Sequence, residues 1–204
     1  MLSLTEYRQK GSRLADYLPW AMLVGPGIVL NKVGCLQRSA RFRGSDLDSS
    51  TEAELVATSA RLNSALRRLG TGCAVFTEAQ RVPFRSYPED AFPDPVTALI
   101  NEERRAHFEA DGIHFESAYF ITFAWMPPAD DTSRAGRWLI EGDASQSGRP
   151  GDHIESFIGR TDRILDLLDR FMPEASWLSD GETLTYLHST VSSKRQRILA
   201  LDTP

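Results

Sequence analysis

Residue types that do chemistry are present in this chain, but their spacing matches no nucleotide-binding motif. A phosphate-binding P-loop ends in Gly-Lys-Ser or Gly-Lys-Thr, because backbone amides and a lysine must reach the phosphates. The sequence contains no such string. Gly70-Thr71-Gly72 lies between a predicted helix and a predicted strand, which is the reverse of the order that directs a helix N-terminus at phosphate. We therefore expect a helix C-cap there, and neither ATP binding nor ATP hydrolysis by this chain.

Histidine and cysteine are too dispersed to predict a metal site or a nucleophile. The four histidines have neither HxxxH spacing nor a cysteine neighbour, and they are His107, His114, His153 and His188. Cys35 and Cys73 each lie in an apolar, strand-like segment without a CxxC partner. That setting predicts two buried free thiols and a reducing compartment. We expect no metal, no cofactor and no catalytic residue in this chain.

Charged side chains form clusters whose simplest interpretation is a solvated surface. Acidic pairs fall in predicted loops or on helix faces, namely Asp46 with Asp48, Glu102-Glu103 and Asp130-Asp131. Basic residues gather at Arg38, Arg41 and Arg43, at Arg67-Arg68, and at Lys194, Arg195 and Arg197. The formal net charge of −5 favours ordinary surface charge over an anion-binding face. A single-stranded DNA-binding module is thus an alternative that is possible but not favoured, and a small-molecule enzyme of unknown class is another.

A small sheet opens the chain. Trp20 to Val24 and Ile28 to Leu30 are apolar runs separated by Gly25-Pro26-Gly27, and a second turn at residues 31–34 leads to a third strand from Cys35 to Phe42. Thr51 and Glu54 have capping-box spacing, so a helix begins there and ends at Gly70. Cys73 to Val82 is the next predicted strand.

Prolines and a second alternating segment organise the middle of the chain. The stretch from Pro83 to Pro95 contains four prolines and predicts a loop. Asp94-Pro95 is a good helix entry, and Val96, Leu99 and Ile100, with His107 further on, lie on one face of a helix that ends near Gly112. Phe115 to Met126 is apolar on both faces, which predicts a central strand covered on both sides.

The last third of the chain predicts a loop, a long amphipathic helix, a short strand and a final helix. The stretch from Pro127 through Gly151 is typical of a mobile loop in which only Arg137 to Ile140 looks ordered. Asp152 to Met172 has a broad apolar stripe, and Ala175 to Leu178 is a short strand. Ser179 and Glu182 repeat the capping-box spacing before a last helix with Leu184, Leu187 and Val191. The predicted fold class is α+β, a largely antiparallel sheet with helices packed against it.

Length and hydropathy predict one soluble domain. At 204 residues and 41% hydrophobic content, the chain can bury one substantial core, so we expect a single domain over residues 1–204. The longest uncharged run, Tyr17 to Asn31, is broken by proline and glycine and is shorter than the roughly 20 apolar residues of a spanning helix. Residues Met1 to Arg13 form a possible docking segment, either a peripheral element for an anionic membrane surface or membrane-bound partner or a terminal part of the core. Its candidate residues are Leu2, Leu4, Tyr7, Arg8, Lys10 and Arg13.

A series of short motifs resembles a known family over nearly the whole chain. In order they are Tyr17-Leu18-Pro19-Trp20, Gly25 to Lys32, Arg41-Phe42-Arg43-Gly44, Asp46-Leu47-Asp48, Leu66 to Gly70, Tyr87-Pro88, Phe92 to Val96, Glu103-Arg104-Arg105, His114 to Ser117 and Pro127-Pro128. In combination they resemble the amino-terminal region of the TrbE conjugal-transfer ATPases of type IV secretion systems, within the CagE/TrbE/VirB ATPase family. Val33 and Cys73 depart from the family pattern, which expects an acidic and an aromatic residue there.

The resemblance implies the amino-terminal docking half of a longer protein. The absent carboxy-terminal half would be a RecA-like ATPase domain that holds ATP and Mg and drives pilus assembly and substrate transfer. The half represented here would dock to inner-membrane subunits of the secretion system and help the full-length protein form a homo-oligomer. Its expected location is cytoplasmic, at the inner face of the bacterial inner membrane. The end of the chain at Asp202-Thr203-Pro204, without a helix cap or tail, would then be an artificial boundary.

Overall fold

The computed structural model describes residues 13–46, 48–84, 87–88, 91–112, 114–127 and 150–200. The predicted loop from Pro127 through Gly151 falls mostly outside these ranges, as do all candidate docking residues except Arg13. The described residues divide into two compact units. The large unit lies within Met1–Thr77 and Phe120–Pro204, and the small unit lies within Glu78–Tyr119.

The opening of the large unit is the predicted set of short strands. A single helical turn, α1 (Leu14–Tyr17), precedes β1 (Trp20–Gly25), β2 (Ile28–Asn31) and β3 (Leu36–Arg43). β1 pairs antiparallel with β2, and β2 pairs antiparallel with β3. Gly27 has a φ of 66°, and a Cβ there would lie 2.4 Å from the Leu178 carbonyl oxygen. The turn between β1 and β2 therefore requires glycine both for its backbone angle and for close packing.

The first long helix and the strand after it form where the sequence predicts them. α2 (Glu52–Leu66) begins at a complete capping box made by Thr51 and Glu54. A 3-10 turn continues α2 to Leu69, and Gly70 caps it with a φ of 76°. β4 (Cys73–Phe84) follows and runs two residues beyond the predicted end, through Pro83. Because β4 is the last strand in the order of the sheet, the missing amide of Pro83 is tolerated at an edge.

The next two elements are α3 (Pro95–Ala110) and β5 (His114–Trp125). The Asp94 carboxylate accepts a hydrogen bond from the Thr97 amide at 2.8 Å, which confirms the predicted cap. The second half of β5, from Phe120 onwards, is buried on both faces, as predicted for a central strand. The first half of β5 is largely exposed.

Three elements complete the large unit: α4 (Pro150–Asp169), β6 (Glu174–Trp177) and α5 (Asp180–Val191). α4 begins two residues before the predicted start and ends before Phe171 and Met172. The amides of these two residues instead donate to the Leu168 carbonyl in a closing turn, at 3.1 and 2.9 Å. β6 pairs antiparallel with the second half of β3, and α5 begins at the predicted capping box.

The sheet has six strands in the order β1-β2-β3-β5-β4, with β6 paired to β3, and helices accompany it, so the predicted α+β class is confirmed. One face of the sheet contributes Ile121, Phe123 and Trp125 of β5 to an apolar core that α2 and α4 complete. Phe120 points to the other face, where its ring stacks on Tyr186 of α5 with 4.5 Å between centroids. The central strands of the large unit are therefore covered by helices on both sides.

Candidate functional site

The most exposed apolar surface of the small unit lies on α3. Val96, Leu99 and Ile100 are 63%, 61% and 49% exposed. The sequence pattern predicts that these three side chains share one face, and the structure confirms that grouping but turns the face to solvent. We call these three residues the α3 apolar surface.

A different face of α3 packs against the rest of the small unit. Ala98, Asn101, Arg105 and Phe108 are its half-buried residues in the first three turns and beyond, and they recur at helical spacing. Two of these side chains are polar, so the inward face of α3 is less apolar than its outward face. Hydrophobic periodicity alone would have oriented the helix the other way.

Aromatic rings around Phe108 hold α3 in this orientation. The Phe108 ring stacks on His114 at 3.7 Å between centroids and meets Phe84 and Tyr87 edge to face at 6.2 and 5.5 Å. His114 Nε2 also lies 2.7 Å from the Phe108 carbonyl oxygen. Edge-to-face and offset rings are the favoured aromatic arrangements. These ring contacts fix the helix while leaving the α3 apolar surface uncovered by described residues.

The polar groups on the inner face of α3 are served by the same aromatic cluster. The Tyr87 hydroxyl donates to Asn101 Oδ1 at 2.9 Å, and the Arg105 guanidinium lies 5.5 Å from the centre of the Tyr87 ring. None of the described residues in the small unit is fully buried. The small unit is thus held by rings and hydrogen bonds at half-exposed positions, without an apolar core of its own among those residues.

In the large unit, the predicted basic cluster at Arg38, Arg41 and Arg43 is divided between the two faces of β3. Arg38 points to the α4 face and forms an ion pair with Asp162 at 2.6 Å. The side chain of Arg41 points the other way, with its guanidinium 5.9 Å from the centre of the Phe120 ring. Alternation along the strand therefore rules out a single basic surface built from all three residues.

Asp162 joins three elements through a small polar network. Trp177 Nε1 donates to the same Asp162 oxygen at 2.8 Å, and the Arg38 guanidinium lies 3.9 Å from the centre of the Trp177 ring. This network connects β3, α4 and β6 above the apolar core. With the Arg38 side chain 12% exposed, its role is to fix the packing of these elements rather than to bind a ligand.

The two thiols are free and half-buried, rather than fully buried as predicted. Burial raises the pKa of Cys35 and of Cys73, so both favour the neutral thiol and are poor nucleophiles. Within the described residues, no group of His, Cys, Asp and Glu is arranged to hold a metal ion. His188 is held in α5 with its Nδ1 buried and without a hydrogen-bond partner.

Of the candidate docking residues, the structure describes Arg13 alone. It is exposed and precedes α1, where its amide donates to Asp16 Oδ2 at 2.9 Å. Leu2, Leu4, Tyr7, Arg8 and Lys10 lie outside the described residues. A search of the described helices finds none that is long and apolar enough to cross a membrane.

Comparison with known families gives the class of protein. Residues 27–133, just over half of the 204, match the family described as "Type IV secretion system ATPase VirB4/TrbE, N-terminal domain". The matched range begins at the glycine turn before β2 and extends past the end of β5. The chain therefore belongs to the VirB4/TrbE N-terminal domain family of type IV secretion system ATPases, as the motifs in its sequence predict.

Two relatives narrow the similarity within that family. The chain is 41% identical over 130 residues to a probable conjugal transfer protein TrbE, in the first of its pieces, from Sinorhizobium fredii (strain NBRC 101917 / NGR234), which covers 62% of this chain and 87% of the relative. It is 40% identical over 161 residues to a "Conjugal transfer protein TrbE" of Rhizobium radiobacter, which covers 77% of this chain and 20% of that relative. The chain thus spans about a fifth of the length of the longer relative and most of the shorter one.

Proposed function

We propose that this chain is the non-catalytic amino-terminal domain of a conjugative type IV secretion ATPase. In this proposal the domain docks the ATPase to inner-membrane subunits at the cytoplasmic face of the membrane. It also supports assembly of the homo-oligomer that serves DNA or protein transfer and pilus biogenesis. ATP and Mg belong to the carboxy-terminal domain of the parent protein, outside this chain. The family membership and the conjugal-transfer names of both relatives support this assignment.

The observation that carries the docking role is the α3 apolar surface. Val96, Leu99 and Ile100 are each about half exposed or more and lie within two turns of one another. Burial of one such side chain against a partner contributes about 1.5–3 kcal/mol. A grouped set of exposed apolar side chains on one helix is typical of a protein interaction site.

Binding to separately purified inner-membrane subunits tests this role. We expect Leu99→Asp and Ile100→Asp to weaken the binding of the chain to its cognate subunit, because each places a charge where an apolar partner surface would lie. Val56→Asp is the matched control, since Val56 is 64% exposed on α2 of the large unit. Equal binding by all three variants would contradict the α3 surface as the docking site. Micromolar ATP binding by the chain in calorimetry would contradict its non-catalytic role.

The segment Met1 to Arg13 is proposed as a second, peripheral docking element. Its mixture of Leu2, Leu4 and Tyr7 with basic residues suits an anionic membrane surface or a membrane-bound partner. Deletion of the segment is expected to leave the melting curve nearly unchanged and to weaken binding to anionic liposomes or to the subunit. A truncated chain that unfolds or aggregates would place the segment in the core instead.

A further inference from the structure

A concave surface lies between α2 and α4 of the large unit, away from the residues used in the docking proposal. Its volume is about 400 Å³. Apolar side chains line part of it and three arginines line the rest, namely Ala65, Leu167 and Phe171 with Arg61, Arg68 and Arg170. We call it the arginine cleft. Ala65 is buried and the other two apolar residues are half-buried, so they belong to the outer layer of the core.

Helical spacing brings the three arginines to this cleft. Arg61 and Arg68 are seven residues apart, two turns along the same side of α2 and its 3-10 extension. Arg170 is the first residue after α4 and extends from the second wall of the cleft. The sequence places the three residues in separate charge clusters, and only the packing of α2 on α4 assembles them.

The three guanidinium groups are exposed, and within the described residues none forms an ion pair or hydrogen bond. Basic residues near helix C-termini interact favourably with the helix dipole, which accounts for Arg68 and Arg170. Arg61 lies in the third turn of α2, where the dipole effect has decayed. A cluster of three uncompensated positive charges on a chain with a formal net charge of −5 therefore calls for an anionic occupant.

We propose that the arginine cleft binds an acidic segment of a partner protein, one that places carboxylates on the three arginines and a single apolar side chain on Leu167 and Phe171. An apolar centre with a polar rim rich in arginine is the usual anatomy of a protein–protein contact. Each guanidinium presents a planar fork that matches a carboxylate with two parallel hydrogen bonds. The cleft has room for one large side chain at its centre.

A nucleic-acid strand fits this surface less well. Binding of a single strand needs a basic groove that follows the backbone and several aromatic rings for stacking. The arginine cleft is short, and Phe171 is its one aromatic residue among those described. Asp166 and Asp169 are exposed on the last turns of α4 next to Arg170, so a phosphate backbone that continues along the helix would meet negative charge.

The proposal is tested by nuclear magnetic resonance on the full chain, with Nε–Hε resonances of the arginines assigned. The first probe is a short synthetic peptide with one leucine flanked by glutamates, and the second is the same peptide with lysine in place of glutamate. The third probe is oligothymidylate. We expect saturable shifts at Arg61, Arg68 and Arg170 with the glutamate peptide and none with the lysine peptide.

Charge reversal supplies the control. Arg61→Glu and Arg170→Glu are each expected to weaken peptide binding by about tenfold, whereas Arg104→Glu on exposed α3 changes the net charge equally and leaves binding unchanged. Both reversed positions are exposed, so folding is retained, and circular dichroism checks it. Peptide binding that ignores both reversals, tighter binding of oligothymidylate at these arginines, or no saturable shift in the wild-type chain would each overturn the proposal. Because no inner-membrane subunit takes part, the result is independent of the docking role of α3.

Discussion

The large and small units use amphipathic helices of similar length in opposite ways. In the large unit α4 places its apolar stripe in the core, where Phe157, Ile164 and Leu168 are almost completely buried. In the small unit α3 turns its aliphatic residues to solvent and packs with Asn101, Arg105 and Phe108 instead. A helical apolar stripe therefore predicts burial somewhere, and in α3 we propose that the burial occurs in a partner protein.

The difference also separates stability from interaction. The large unit buries its sheet on both faces and carries the apolar core, so its residues are expected to exchange amide hydrogens only on global unfolding. The small unit has no fully buried described residue and relies on ring contacts around Phe108. Regions of this kind open more easily, which suits a surface that adapts to a partner.

The sharpest contrast is expected from one substitution made in both units. Leu165→Asp buries a charge in the core, where Leu165 is 6% exposed, and should lower the free energy of unfolding by about 3–5 kcal/mol. Leu99→Asp, on the α3 apolar surface, should change it by about 0.5 kcal/mol or less. Urea unfolding followed by circular dichroism measures both. Similar losses at the two positions would erase the distinction between the units.

A smaller loss is expected when the polar network of the large unit is broken. Asp162→Ala leaves the Arg38 guanidinium without its carboxylate and Trp177 Nε1 without its acceptor, so the unfolding free energy should fall by about 2–3 kcal/mol. Asp162→Asn restores an acceptor without the charge and should recover some of the loss. If alanine and asparagine behave like the native residue in thermal melts, the network does not stabilise the packing.

Removal of the central ring of the small unit should have a local effect. Phe108→Ala eliminates the contacts with Phe84, Tyr87 and His114 and should cost about 1–2 kcal/mol. Hydrogen exchange measured by mass spectrometry should then speed up in α3 and leave α4 unchanged. Faster exchange in both helices would show that the two units unfold together.

Acid should affect the helix caps of both units, with the smallest effect of the four. The Thr97 amide lowers the pKa of Asp94 in the small unit, and the Ser179 amide lowers that of Glu182 in the large unit. A lowered folded-state pKa contributes stability above the unfolded value, about 4, and this contribution disappears as the pH falls through the folded value. Asp94→Asn keeps a cap but cannot titrate, so exchange in the first turn of α3 should lose its acid dependence. An unchanged acid response in this variant would assign it to other groups.

Local signals in the sequence were sufficient for most elements of the fold. Three helix starts were predicted from side-chain caps, at Thr51, Asp94 and Ser179, and the structure shows each cap hydrogen bond. These signals work because a cap satisfies amides within three residues along the chain. Pro83 was predicted to end β4, but the position of β4 at the sheet edge depends on strand order, which no local pattern encodes.

The candidate surfaces were less accessible to prediction because they depend on packing between distant segments. The orientation of α3 follows from rings supplied by Phe84, Tyr87 and His114, which come from β4, the segment after it and β5. The arginine cleft needs α2 beside α4, elements that lie far apart in the sequence. Charge clustering along the sequence instead grouped Arg38 with Arg41, whose side chains lie on opposite faces of β3.

The indole of Trp177, held between Arg38 and Asp162, has a spectroscopic consequence. All four tryptophans, Trp20, Trp125, Trp138 and Trp177, lie outside Glu78–Tyr119, whereas that range contains Tyr87 and Tyr119. Emission excited at the red edge of tryptophan absorption therefore reports on the large unit alone, and loss of the carboxylate beside Trp177 should alter its intensity and wavelength. The chain carries an intrinsic fluorophore set that is blind to the small unit, so partner binding at α3 and unfolding of the core can be recorded separately without a chemical label.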